Sequence, residues 1–230
     1  MPHEHHLRVA RTARYFTLGE DAALVRELWL VLHGYGSLAA SFIKPFTALD
    51  DGSRLIVAPE ALNRFYQVPP EQAPPSERPV GASWMTREDR EHEIADYLGY
   101  LDEVCGAVLL RLLPDVTRAM RTIVLGFSQG AATAARWVGH TRVTLNHLVL
   151  WGGSLPPELD LAAASSPLRR TPLTFVVGSR DAFVTPAVVQ EQERRLRDAG
   201  VSYSVRRYEG GHSIPRAELT ALAAILSGQG

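Results

Sequence analysis

The sequence predicts an α/β fold in which one mostly parallel sheet carries helices on both faces. Three observations lead there. From residue 28 to the end, short apolar runs alternate with helical segments, which is the pattern of βα units. Several runs, such as Leu28-Trp29-Leu30-Val31-Leu32 and Leu148-Val149-Leu150-Trp151, are apolar throughout and suit strands buried on both sides. The polar or glycine-rich loops that stand out each follow the carboxyl end of such a run, where ligands bind in open parallel sheets.

Residues 7–18 alternate polar and apolar side chains and suggest a short strand pair at a sheet edge. The run 28–32 ends in His33-Gly34-Tyr35-Gly36-Ser37, with Ser37 a candidate helix N-cap. Leu55-Ile56-Val57-Ala58 is the next buried strand. Residues 59–83 contain Pro69, Pro70, Pro74, Pro75 and Pro79 and read as an irregular excursion over one end of the sheet. Ile94, Tyr97, Leu98, Leu101, Val104, Cys105, Val108, Leu109 and Leu112 then recur at three- and four-residue spacing and predict one long helix. Thr86 and Asp89 are its capping candidates, Glu88 and Asp89 suit its first turn, and Pro114 marks its end. Strands follow at 122–126, 148–151, 173–177 and 203–208. Helices follow at 129–138, 186–199 with a Gly200 stop, and 215–227 with Pro215 in the first turn. No repeat or linker divides the chain, so residues 1–230 read as a single domain with 59–83 as its proline-rich loop.

Composition narrows the function. The chain is 46% hydrophobic and 21% charged, with a formal net charge of -1, so no basic face argues for nucleic acid. No apolar run reaches the length of a membrane span. The N-terminus lacks the basic and apolar regions of a secretory signal, which makes the cytoplasm the default location. Cys105 is the sole cysteine and lies in the apolar stripe of the long helix, so it reads as core. His3, His5 and His6 read as a solvated terminus, because no partner ligands lie at metal-site spacing nearby.

The informative stretch is Gly126-Phe127-Ser128-Gln129-Gly130, between the strand at 122–126 and an alanine-rich helix. G-x-S-x-G at a strand-to-helix corner is the nucleophile elbow of α/β-hydrolases. A side chain at either glycine would crowd the turn, and the helix N-terminus offers free N–H groups beside the serine. Ser128 is therefore the expected nucleophile. It needs a base, and the base needs a carboxylate. Among eight histidines, His212 follows the last strand, at the correct sheet end and last in chain order. His33 is better placed to hold its own loop. Asp181, just past the strand 173–177, is the expected third member, with Glu158 and Asp160 as rivals behind Pro156-Pro157. The oxyanion donors are expected to be the N–H groups of Gln129 and Tyr35, with Gly36 as the fallback.

Together, Leu32-His33-Gly34-Tyr35-Gly36, Ala58-Pro59-Glu60, Trp84, Gly126-Phe127-Ser128-Gln129-Gly130, Gly178-Ser179-Arg180-Asp181 and Gly210-Gly211-His212 resemble the phospholipase/carboxylesterase family of α/β-hydrolases. The resemblance implies an α/β-hydrolase fold without a cap domain, a Ser–Asp–His triad, no metal, no cofactor, and Trp84 beside the acyl pocket. Tyr35 stands where the family often has Leu, Ser37 where an acidic residue is common, and Ala131 where a further glycine is common. Met85-Thr86 replaces the aromatic-acidic pair of the thioesterase branch, so the chain resembles the bacterial esterases more closely.

The expected activity is hydrolysis of short- to medium-chain carboxylic esters through an acyl-enzyme. Tyr35, Trp84, Met85 and Phe183 would line the acyl site, and the 59–83 loop would form a wall or a homodimer contact. A thioesterase, a lysophospholipase or an acyltransferase would use the same residues, whereas a noncatalytic binding protein would be expected to lack a triad member. Dehalogenase or dienelactone chemistry would favour Asp or Cys at the elbow.

Overall fold

In a strand buried on both sides, successive side chains enter opposite cores. The computed structural model, which describes residues 1–19, 25–112, 120–163 and 166–228, shows this division in β2 (Glu27–Leu32). Leu28, Leu30 and Leu32 join one cluster, and Trp29 and Val31 join the other. The same alternation runs through β3 (Arg54–Pro59), β6 (Arg121–Phe127), β7 (His147–Trp151) and β8 (Leu173–Gly178).

With β1 (Tyr15–Leu18) and β9 (Tyr203–Tyr208), these strands form a seven-stranded sheet in the order β1-β3-β2-β6-β7-β8-β9. Every neighbouring pair is parallel except the edge pair β1–β3. The first face packs against α2 (Arg90–Arg111), α3 (Gln129–His140) and α4 (Pro186–Asp198), through residues such as Leu101, Trp137 and Leu196. The second packs against α1 (Ala39–Phe42), the 3-10 segment Lys44–Leu49 and α5 (Arg216–Ser227), through Phe46, Leu219 and Leu222. The predicted fold class is the one observed, and among the described residues no separate cap domain stands over the sheet.

Local expectations fare less evenly. Residues 7–18 give one edge strand, Tyr15–Leu18, and its partner is the distant β3. Ser37 is not a cap: α1 is a single turn with Leu38 at its N-cap, and the Ser37 N–H closes a turn onto the Gly34 carbonyl. The excursion 59–83 contains a two-stranded antiparallel ribbon, β4 (Asn63–Tyr66) and β5 (Val80–Ser83). Four-residue strands rich in polar and small side chains leave little periodicity to detect. Asp89 is the N-cap of α2, but at φ 47 its side chain makes no capping bond, and the acids of the first turn are Glu91 and Glu93. Pro114 lies outside the described residues, while Pro215 is the N-cap of α5 rather than its first residue. Gly200, at φ +66, ends α4 as expected. Cys105 is buried, and burial first, then nearby Asp102, pushes its thiol up to about 11, so it stays protonated at neutral pH.

His147 adds a pH dependence to the fold. It is buried, bonds Thr174 through Nε2 (2.8 Å), and Thr174 in turn meets Ser204 (2.8 Å). Burial, aided by Arg121, pushes its pKa down to about 4. The unfolded chain then binds a proton that the folded chain refuses. His147 therefore costs no stability above its ordinary titration range. Its penalty grows as pH falls from about 6.5 toward 4 and levels off below, at roughly 3 kcal/mol. Urea unfolding at pH 7 and pH 4.5 should show that loss in the wild type and a smaller one in His147→Gln.

Candidate active site

The turn from β6 into α3 places Ser128 at φ 54 and ψ -117, one of two non-glycine residues with positive φ among those described. A non-glycine residue held there stores local strain. Its neighbours make the turn sterically feasible. A Cβ on Gly126 would lie 2.1 Å from the Gly130 carbonyl oxygen, and one on Gly130 would lie 2.2 Å from the Leu32 carbonyl oxygen. Only glycine lets the start of α3 sit this close to β2 and β6.

The ends of β6, β8 and β9 bring three polar side chains together. Ser128 Oγ lies 2.9 Å from His212 Nε2, and His212 Nδ1 lies 2.8 Å from Asp181 Oδ2. The carboxylate can only accept, so Nδ1 carries the proton and Nε2 is free to accept from the serine hydroxyl. Asp181 is fixed in turn: its Oδ1 accepts from the N–H groups of Phe183 (2.8 Å) and Val184 (3.0 Å). Burial works to raise its pKa, but the bonds from His212, Val184 and Phe183 outweigh it and hold the carboxyl below its ordinary value. Gly152, at φ +55, backs the pair, and a Cβ there would press on the His212 ring at 3.1 Å. The rings of Phe127 and Phe183 lie 4.8 and 4.7 Å from that of His212.

The rival carboxylates are engaged elsewhere. Glu158 binds Arg90 (2.7 Å) and Arg136 (2.8 Å), and Asp160 Oδ1 accepts from the Ala162 and Ala163 N–H groups at 3.0 Å. Burial opposes it, but its own backbone N–H, Arg136 and Arg90 hold Glu158 down to about 2.

The loop after β2 abuts the serine, since a Cβ on Gly34 would lie 3.1 Å from that of Ser128. The N–H groups of Tyr35 and Gln129 have no protein acceptor among the described residues, whereas Gly36 N–H donates to the Ala82 carbonyl at 2.9 Å. Geometry thus leaves Tyr35, not the fallback Gly36, beside Gln129 as a free donor. His33 holds this loop. It accepts the Ala61 N–H at Nε2 (3.0 Å), so its Nδ1 proton goes to the Gly34 carbonyl (2.8 Å). Burial is the main cause of its lowered pKa, against the Gly34 bond and Glu60, so it stays neutral at physiological pH.

Trp84 is packed inside the protein. It is 1% exposed, stands 5.1 Å from the His33 ring, and gives its indole N–H to the His33 carbonyl at 2.8 Å. A buried indole needs such a partner, and here it supports the 33–36 loop from beneath. Met85 is half-buried, and its thioether faces Arg136 (3.7 Å). Phe183, 73% exposed, lies against the His212 ring, and Tyr35, 62% exposed and stacked on Phe65 at 5.0 Å, stands on the loop that abuts Ser128.

The supporting roles of the Gln129 and Glu60 side chains have no signature in the sequence. The Gln129 side chain clamps residues 83–85: its Oε1 accepts from Trp84 N–H (3.1 Å) and its Nε2 donates to the Met85 carbonyl (2.8 Å) and Ser83 Oγ (3.1 Å). The buried Glu60 carboxylate binds Arg14 and Arg64 (both 2.7 Å) and accepts the Ala39 N–H (3.3 Å), joining the edge strand, the ribbon and α1. Gln129→Ala keeps the backbone donor but frees this segment and leaves the Trp84 N–H without its partner. A roughly 10- to 100-fold fall in kcat is expected, with a stability loss of about 1–3 kcal/mol. Steady-state kinetics and urea unfolding of the same variant check both.

A parallel sheet of this order, with a serine at a strand-to-helix elbow, defines an α/β-hydrolase. More narrowly, the chain belongs to the phospholipase/carboxylesterase family, whose profile matches residues 19–228. Among solved structures, it is similar to a carboxylesterase from Mesorhizobium loti at 18% identity and TM-score 0.68, covering 94% of this chain and 95% of that one. It is similar to a phospholipase/carboxylesterase from Dyadobacter fermentans at 20% identity and TM-score 0.66, covering 95% and 98%. Esterase PE8 is similar at 22% identity and TM-score 0.66, covering 95% and 99%. At these identities the likenesses speak to the fold. No curated protein matches the chain. No helix among the described residues is long and apolar enough to cross a membrane.

Proposed function

We propose that the protein is a serine carboxylic-ester hydrolase acting on short- to medium-chain acyl esters. One observation carries this reading: the unbroken Ser128–His212–Asp181 hydrogen-bond chain with Ser128 at a strained elbow. Ser128 Oγ attacks the ester carbonyl carbon as His212 Nε2 takes its proton. Asp181 holds the Nδ1–H tautomer and stabilises the imidazolium. The Tyr35 and Gln129 N–H groups donate hydrogen bonds to the carbonyl oxygen as negative charge develops on it, the kind of contact worth roughly 100- to 1000-fold in rate each. The imidazolium returns the proton to the departing alkoxide, leaving an acyl-serine. Water, deprotonated by His212, then attacks the acyl carbon and releases the carboxylic acid and Ser128. The chemistry as written needs no metal or cofactor.

The exposed rings of Tyr35 and Phe183 support an acyl group of modest length lying beside the serine. The discriminating experiment is hydrolysis of p-nitrophenyl esters from acetate to palmitate, with the matching acyl thioesters alongside. Turnover highest at short or medium chains and weaker on thioesters is expected. A preference for thioesters would move the assignment to a thioesterase using the same residues. Folded protein that cleaves neither would overturn the hydrolase reading.

A further inference from the structure

A second cluster of chemistry-bearing side chains stands outside the triad, where the N-terminal segment meets the first turn of α2. His6 Nε2 lies 3.2 Å from Asp89 Oδ1, and His92 Nδ1 lies 2.6 Å from the same oxygen. Glu4 Oε1 lies 3.3 Å from His6 Nε2. The two imidazole rings stack at 3.9 Å, and the ligand atoms of His6, Asp89 and His92 all lie within 4.8 Å of one another. Asp89 sits at the left-handed N-cap, and instead of capping the helix it turns its carboxylate to both histidines.

We propose that His6, Asp89 and His92, with Glu4 beside them, bind a divalent transition-metal ion of the zinc class and so tie the N-terminal segment to α2. The donor set decides the class. Two imidazoles and a carboxylate suit Zn²⁺, Co²⁺, Ni²⁺ or Cu²⁺, whereas Mg²⁺ and Ca²⁺ favour all-oxygen sites. The spacing fits as well. Ligands about 2.0–2.2 Å from a tetrahedral zinc stand roughly 3.3–3.6 Å apart, close to the His6–Asp89 and His6–Glu4 separations. The shorter His92–Asp89 contact is a hydrogen bond, and an ion entering there takes the place of its proton and moves the two groups apart. The side chains of His6, Asp89 and His92 are each about half exposed, so the ion has access and its remaining position would hold water. The role assigned is structural: the site recruits the N-terminal segment and takes no part in ester chemistry.

The test is isothermal titration of ZnCl₂ into the full-length chain without an affinity tag, with the visible spectrum of added Co²⁺ reporting geometry. One ion per chain is expected, with an intense tetrahedral Co²⁺ spectrum. His6→Ala and His92→Ala should each weaken binding by more than about tenfold, beyond what loss of an outer-shell partner usually costs at its lower end. The double variant His3→Ala, His5→Ala should bind as the wild type does. Circular dichroism verifies that each variant is folded, as expected for exposed positions. No zinc binding, wild-type affinity in either His6→Ala or His92→Ala, or loss of binding in the His3/His5 variant would each overturn the proposal. The cluster would then be a hydrogen-bonded contact only.

Discussion

Ser128→Ala should lose ester hydrolysis by a factor on the order of a million in kcat while remaining folded. The magnitude follows from how triads act: without the nucleophile, His212 and Asp181 have nothing to activate, and only the oxyanion donors and binding contacts remain. Folding should survive because the hydroxyl's described side-chain contact is His212. Alanine keeps a Cβ at the same positive φ, so the elbow strain is unchanged. Progress curves on p-nitrophenyl butyrate, with circular dichroism of the same preparation, give both readings. Activity within tenfold of wild type would remove Ser128 from the mechanism.

Asp181→Asn should cost about 10⁴-fold in kcat at neutral pH with little change in KM, as expected when a triad histidine is held in the wrong tautomer. The reason is visible in the two carboxylate oxygens. Oδ1 accepts two backbone N–H groups and Oδ2 accepts the His212 Nδ1 proton. An asparagine must keep its oxygen toward the two donors, which turns its NH₂ toward His212. The ring then accepts at Nδ1 and carries its proton on Nε2, where it cannot take one from Ser128. A full pH–rate profile separates this from simple misfolding. A loss below about tenfold would mean that another group orients His212.

Legibility from sequence tracked the physics of each element. The buried strands and long helices were readable because burial on both faces imposes continuous apolar runs, and burial on one face imposes the three-and-four spacing. Ser128, Asp181 and His212, which meet in the folded chain, are candidates from the sequence because each follows a visible strand end and chain order limits the rest. The β4–β5 ribbon was not readable, since its strands are short and stabilised by pairing with each other. The resemblance implies Trp84 beside the acyl pocket, and nothing in the sequence says that its indole N–H donates to the His33 carbonyl. That contact depends on how β5 packs under the loop after β2, and no local pattern encodes it. The Gln129 clamp on residues 83–85 is hidden for the same reason. His6 read as solvated because its partners, Asp89 and His92, are distant in sequence and meet it only in the folded chain.

The central claim is that Ser128 carries the acyl group during turnover. Its most direct test is mass spectrometry of enzyme acid-quenched during steady-state cleavage of a p-nitrophenyl ester, followed by peptide mapping. The account predicts one acyl adduct, on the peptide bearing Ser128, absent from Ser128→Ala and accumulating in Asp181→Asn if deacylation is slowed more than acylation. An adduct on another residue, or an equal adduct in Ser128→Ala, would contradict it.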